Sequence, residues 1–508
     1  MRRPSQPRGT RAQTVFFPPP TGGWNARDAI TNMAPSDAIT LDNFVPDAGG
    51  VRIRGGHSVH ATTSSQPVES LMEYNAPSLR KLFAGVESEI YDVSASGTAS
   101  PVLTHLFNGR WQHTMFSNAG GDRLFCANGE DTIKCFDGST WTAPVITGVA
   151  SNTIISIVSH MSRLWLVENA SSKIWYLPLN AITGAATSID LGALTTYGGY
   201  LMAMASWSKD GGRGLEDLAV FLMSTGETLI YQGADPSSAS TWSLVGIFKL
   251  PPPVGRRCFV KIGGDLGVIT SQGVVSLSTV LPEPMASVGR LAATDKIVKA
   301  VRDAYFGSSQ SFGWQIVESA RDQLMILNVP LAERQTQHQY VMNTQTGAWA
   351  RWTGMNGGVW GTLGDRLFFG GNDGTVYEVG HVTTDLGEPV EGLIISAFSD
   401  LGTRNIKRFT MARVLFYGEE TYTPLLAVRV DYDESDIQYT PPTSAASGAF
   451  WDEAEWDVAA WAAGARGNAI WQPIAGMGAV VSAVMAVSIG DQFTFNGADI
   501  LFETGQQI

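Results

Sequence analysis

The sequence predicts an all-β protein on three observations: a composition rich in turn formers and aromatics, a strand–turn–strand unit that recurs through most of the chain, and scarce helical periodicity. Glycine occurs 55 times and proline 24 times among 508 residues, and 10% of the chain is aromatic. Tight turns between aromatic strands use that balance. Hydrophobic residues make up 44% and charged residues 16%, which supplies ample apolar material for a core and excludes disorder throughout. At about 150 residues per domain the length fits two to four domains, or fewer if one large all-β unit absorbs most of it.

Residues 1–20 are rich in Arg, Pro, Ser and Gln without periodicity, and such composition buries too little surface to order alone. They are expected to form a flexible basic arm. Residues 21–65 follow as a turn-rich strap leading into the first strand. Then the repeat begins. RLFCANGEDTIKCFDGSTW at 123–141 and RLFFGGNDGTVYEVG at 366–380 share the pattern of apolar strand, Gly/Asn/Asp turn and second strand ending in an aromatic. Weaker copies occur at 81–93, 163–177, 219–233, 267–278 and within 323–352. With Leu82, Leu124, Leu164, Val220, Val268, Leu324 and Leu367 as landmarks, the successive gaps are 42, 40, 56, 48, 56 and 43 residues. Repeats of about 40 to 50 residues are those of propeller blades, in which small sheets bury their faces against one another in a ring. Residues 66–391 are therefore predicted to be a β-propeller of six or seven blades, with hairpins in one or two β-sandwiches as the competing arrangement. The best helical candidate is 292–304, where Ile297, Val298 and Val301 keep helical spacing and Thr294 would cap the N-terminus.

After Gly392 the strands lengthen and alternate, so residues 392–508 are predicted to be a second, sandwich-like domain interrupted by a large loop at 433–472. The apolar stretch Ile474–Ile489 is too short to span a membrane as a helix and reads as a buried strand. In the loop, Trp451, Trp456 and Trp461 stand five residues apart among Asp452, Glu453, Glu455 and Asp457. That spacing shares no single helical or strand face, which suits a folded loop or an assembly contact.

The formal net charge is −13, against a protein that grips nucleic acid over a broad basic surface. Charge is uneven: residues 1–27 hold Arg2, Arg3, Arg8, Arg11 and Arg27 and no acid, whereas 414–508 hold two basic and thirteen acidic residues. Cys126, Cys135 and Cys258 are too few and too irregular for a disulfide framework or a zinc site, and read as buried thiols of a protein made in a reducing compartment. No apolar core follows the first arginines, so a secretory signal is not expected.

No catalytic, cofactor or metal signature stands out. His57 and His60 lack a nearby carboxylate or third imidazole in the sequence, and the phosphate-loop, zinc-hydrolase and serine-hydrolase motifs are absent. Ser208, Asp210 and Gly211 suggest a turn resembling the Asp-box of propeller glycosidases but without its tryptophan. Asp431 with Asp433, or Glu419 with Glu420, would serve glycosidase chemistry only across a cleft, and read as loop acids. Arg404, Lys407, Arg408 and Arg413 form a basic run within an acidic domain. Either they guard an edge strand, or they meet the acidic Trp loop of a neighbouring copy, with Trp451, Asp452, Glu453, Trp456 and Trp461 as the partner residues.

The opening PPTGGWNARDAITNMAPSDAITLDNFVPDAGGVRIRGG, the segments SDLGTRNIKRFTMARVLF and FWDEAEWDVAAW, and the closing GADILFETGQQI resemble the tail nozzle, or hub, proteins of short-tailed bacteriophages. That resemblance implies a virion structural protein without an active site, made in the host bacterial cytoplasm. Six copies would form a tube below the adaptor ring of the head–tail connector and carry tail fibres or a distal tip. Genomic double-stranded DNA would be retained and then pass nonspecifically through the lumen. Arg2, Arg3, Arg8 and Arg11 would bind an acidic neighbour or DNA. The alternatives are a polysaccharide-degrading tail enzyme on a propeller, a fibre-attachment adaptor, and a monomeric host interaction module.

Overall fold

The computed structural model describes residues 12–210, 215–282, 285–418, 424–435 and 470–505. It is 54% strand and 6% helix. Two compact units share the chain: a larger one, Val59–Tyr340 with Thr353–Val379, and a smaller one comprising the described residues of Met1–Ser58, Val341–Trp352 and Gly380–Ile508.

In the larger unit each repeat landmark sits on the second strand of an antiparallel run of three or four strands. Leu82 lies in Leu79–Val86, Leu124 in Gly121–Ala127, Leu164 in Arg163–Glu168 and Val220 in Leu215–Met223. Val268 lies in Asp265–Thr270, Leu324 in Leu324–Ala332 and Leu367 in Arg366–Gly371. The first four sheets have four strands each and the fifth has three, all laid down in chain order as meanders. Gln315–Ser319, Leu324–Ala332 and Thr336–Asn343 follow as the sixth. The seventh joins the two ends of the unit: Gly357–Leu363, Arg366–Gly371 and Thr375–Val379 are completed by His57–Thr62, the strand preceding the first sheet. First strands of successive sheets touch one another around the ring, except that Leu201–Asp210 of the fourth meets the second strand of the fifth, Asp265–Thr270, and the first strand of the seventh returns to that of the first.

Period-two alternation explains this closure, because each sheet has two apolar faces and needs a neighbour on both sides. In the third sheet Ile154, Leu164 and Leu166 pack toward Phe116 and Phe125 of the second, while Ile155, Trp165 and Val167 pack toward Phe221 and Leu229 of the fourth. In the first sheet Met72 and Phe83 meet Trp111 and Leu124 of the second, and Leu71 and Leu82 meet Val359 and Phe368 of the seventh.

The smaller unit contains two facing sheets. One runs Gln472–Gly478, Lys407–Gly418, Phe493–Thr504, Val51–Ile53, Phe44–Pro46; the other contains Trp349–Trp352, Asp37–Asp42, Val390–Ser396, Val481–Ile489 and Leu425–Val430. Their approach is close: a Cβ on Gly392 would come within 2.6 Å of Phe44 and 2.8 Å of Ile53. The strap up to Ser58 thus belongs with the C-terminal strands, because Leu41, Phe44, Val45 and Val51 bury their side chains there.

Several expectations differ from the observed elements. Residues 12–17 of the expected arm are a strand, paired antiparallel with Phe493–Thr504 from Ala12↔Glu503 to Phe17↔Ala498. Phe17 supplies the reason, since pairing takes it to 2% exposure. The helix Val298–Ser308 starts later than 292, and Thr294 does not cap it; its hydroxyl accepts the Val274 N–H at 3.0 Å. Ile474–Ile489 spans two strands, Gln472–Gly478 and Val481–Ile489, turned at 479–480. Among the described residues no helix is long and apolar enough to cross a membrane.

Candidate functional site

The basic run 404–413 does not form one strip. Lys407–Gly418 lies inside its sheet, between Gln472–Gly478 and Phe493–Thr504, and not at an edge. Lys407 points into the unit and is fully buried, with its ammonium donating to the carbonyl oxygens of Thr403, Asn405 (3.2 Å) and Ala479 (2.6 Å). Burial lowers its pKa. It is a structural lysine that cannot meet another copy. Arg413 is half-buried, pairs with Asp499 at 2.7 Å and lies 4.9 Å from the Trp471 ring. Arg404 and Arg408 are exposed and have no ion-pair partner among the described residues.

Register defines the face on which Arg408 stands. Ala12, Glu503, Arg408 and Met477 are successive cross-strand neighbours, as are Phe16, Asp499 and Arg413, and Tyr417 pairs with Thr494. Alternation turns these side chains outward while Phe409, Ala412, Val414, Phe495, Ile500 and Phe502 turn in. The outward face carries large apolar groups in the open: Phe16 at 51%, Tyr417 at 56% and Met477 at 69% exposure. Apolar surface grouped around charged residues on a sheet marks an interaction site more often than isolated exposed side chains do. Sequence reasoning missed Phe16, Tyr417 and Met477. The alternation in AQTVFF was the available signal for Phe16, but nothing near Met477 shows that it stands beside Arg408.

The remaining candidates separate. Trp451, Asp452, Glu453, Trp456 and Trp461, arm residues Arg2, Arg3, Arg8 and Arg11, and Glu419 and Glu420 lie outside the described residues. Asp431 accepts the backbone N–H groups of Ala479 (2.7 Å) and Val480 (3.2 Å), and Asp433 that of Ser435 (2.9 Å), so both organise turns. Ser208 and Asp210 belong to the strand Leu201–Asp210, not to an Asp-box turn, and Ser208 donates to Asp217 across the pair. His57 has a carboxylate after all: its Nδ1 is 2.8 Å from Asp385, which also takes Arg54 at 2.6 and 2.9 Å. Burial pushes the Asp385 carboxyl up, but the bonds from His57 and Arg54 outweigh it and hold it down at about 2. His60 contacts the Val93 carbonyl oxygen at 3.0 Å. All three cysteines are buried free thiols, and no group of three or more potential metal ligands occurs among the described residues.

No known protein family and no curated protein matches the sequence. Solved structures resemble it at low identity. BBS1N in complex with ARL6DN is 13% identical with a TM-score of 0.39, covering 66% of this chain and all of that one. The β-propeller domain of Myceliophteria_thermophila Cps50 (Swd1) is 11% identical, with a TM-score of 0.39, over 64% of this chain and 99% of its own. BamB from Moraxella catarrhalis is 11% identical, with a TM-score of 0.32, over 73% and 97%. The likeness concerns fold alone: a mostly β chain resembling β-propeller domains over about 66% of its length.

Proposed function

We propose that this chain is a structural subunit of the tail nozzle of a short-tailed bacteriophage, a seven-bladed propeller with a sandwich-like second domain that assembles as a hexamer below the adaptor ring. One observation carries the reading. The segments at 19–56, 399–416 and 497–505, which resemble nozzle proteins and stand far apart in sequence, fold into the same compact unit. That unit bears the outward face with Phe16, Arg408, Tyr417 and Met477, which suits contact between identical copies around a symmetry axis. A net charge of −13 suits a lumen from which double-stranded DNA slides away without adhering.

Cryo-electron microscopy of purified particles tests this directly. The expected result is a six-fold ring on the tail axis with DNA inside it or stopped above it; a peripheral copy, or absence from particles, overturns the reading in favour of fibre attachment or a tail enzyme. Reversing the exposed cation in Arg408→Glu is expected to weaken ring association roughly tenfold, because a charge at an interface fixes register and steers encounter. Analytical ultracentrifugation against the parent chain measures it.

A further inference from the structure

All seven first strands of the larger unit line an axial cavity of about 320 Å³, and a second cavity of about 460 Å³ shares two of its wall residues, Arg256 and Arg257. Such volumes hold a small molecule and exclude a nucleic-acid duplex. In a chain with a net charge of −13, these two cations are left without carboxylate partners. Arg257 donates through Nη2 to the carbonyl oxygens of Glu69 (3.0 Å) and Trp111 (3.3 Å), whereas its Nη1 is sealed from solvent with no acceptor. Arg256 has neither a hydrogen-bond nor an ion-pair partner among the described residues.

The nearby acids are committed elsewhere. Glu69 takes Arg110 at 3.0 Å and Arg334 at 2.7 Å, and Glu333 takes Arg110 at 2.7 Å. Glu73 accepts from Thr362 at 3.2 Å and from the Gly364 N–H at 3.3 Å. Glu130, on the wall of the second cavity, attracts Arg256 without pairing with it. The Phe312 ring lies under both Arg110 (4.5 Å) and Arg257 (4.8 Å), which fixes the Arg257 guanidinium in place. Burial pushes Arg257 down to about 10 against the attraction of the Glu69 carboxylate, with Arg110 and Arg256 adding to the fall; burial and then Arg257 also lower His113, on the same wall. An unpaired guanidinium facing a cavity is costly, and an oxyanion is the group that matches its donors.

We propose that the axial cavity binds a small molecule through a phosphate or carboxylate group held by Arg256 and Arg257, the two cations on its wall. Thermal unfolding and titration calorimetry of the full chain test it, with inorganic phosphate in one arm, citrate in the other, and sodium chloride at matched ionic strength as control. A rise in Tm and measurable heat with phosphate, citrate or both is expected, and the arm that responds identifies the anion class. Arg256→Gln is expected to weaken that binding roughly tenfold, as loss of one charge-assisted contact does. In anion-free buffer the same variant is expected to unfold no earlier than the parent, since a like-charge repulsion is gone. No response to either anion beyond the chloride control, or a response unchanged in Arg256→Gln, overturns the proposal.

Discussion

Asp385 joins Arg54 and His57 in a cluster where Arg54 is only 1% exposed, so neutralising the carboxylate leaves a buried guanidinium without its charge partner. Asp385→Asn is expected to destabilise the chain by about 3 to 5 kcal/mol at pH 7. Because the folded carboxyl titrates at about 2, below an ordinary aspartate, its stabilisation is present above about pH 4 and is lost as pH falls toward 2. The gap between variant and parent should therefore narrow over that interval, which urea titrations at successive pH values measure. Little of this cluster was legible in the sequence. His57 was read as lacking a carboxylate, since Asp385 lies 328 residues away and only the fold brings them together. The basic run failed differently: residue type identified Lys407 as a cation, while strand alternation, shifted by the bulge between Phe409 and Met411, decided which way each side chain points.

Among elements, the strand Ala12–Phe17 sets a buried and an exposed aromatic side by side. Phe17 is buried at 2% exposure and Phe16 stands at 51%. Phe17→Ala is expected to cost about 3 kcal/mol in urea unfolding, through lost burial and a cavity, whereas Phe16→Ala should change stability by less than about 0.5 kcal/mol while weakening association between copies. Composition hid this strand, because the Arg, Pro and Ser around it outweigh six residues of alternation. The propeller repeat was far more legible. A turn followed by an aromatic strand is local chemistry, and each of the seven landmark positions lies on the corresponding strand of its sheet. The pairing of strap with C-terminal strands carries no local signal of that kind.

For the whole molecule, the critical turn is the one at which the ring of sheets is completed. Gly374 has φ of +81°, a Cβ there would sit 1.7 Å from the Ser64 carbonyl oxygen, and its own carbonyl accepts from Thr63 N–H (3.0 Å) and Oγ1 (2.7 Å). Gly374→Ala is expected to destabilise the larger unit by at least about 2 kcal/mol, read by tryptophan fluorescence in urea. The order in which these parts are synthesised has a consequence of its own. The larger unit lies between the two outer stretches of the smaller one, so a ribosome releases everything the ring requires while the smaller unit still lacks Val481–Ile489 and Phe493–Thr504. The outward face exists only once Phe493–Thr504 has been made, because that strand lies between Ala12–Phe17 and Lys407–Gly418. A chain that stops before Phe493–Thr504 thus holds every strand of the ring and yet lacks the outward face altogether.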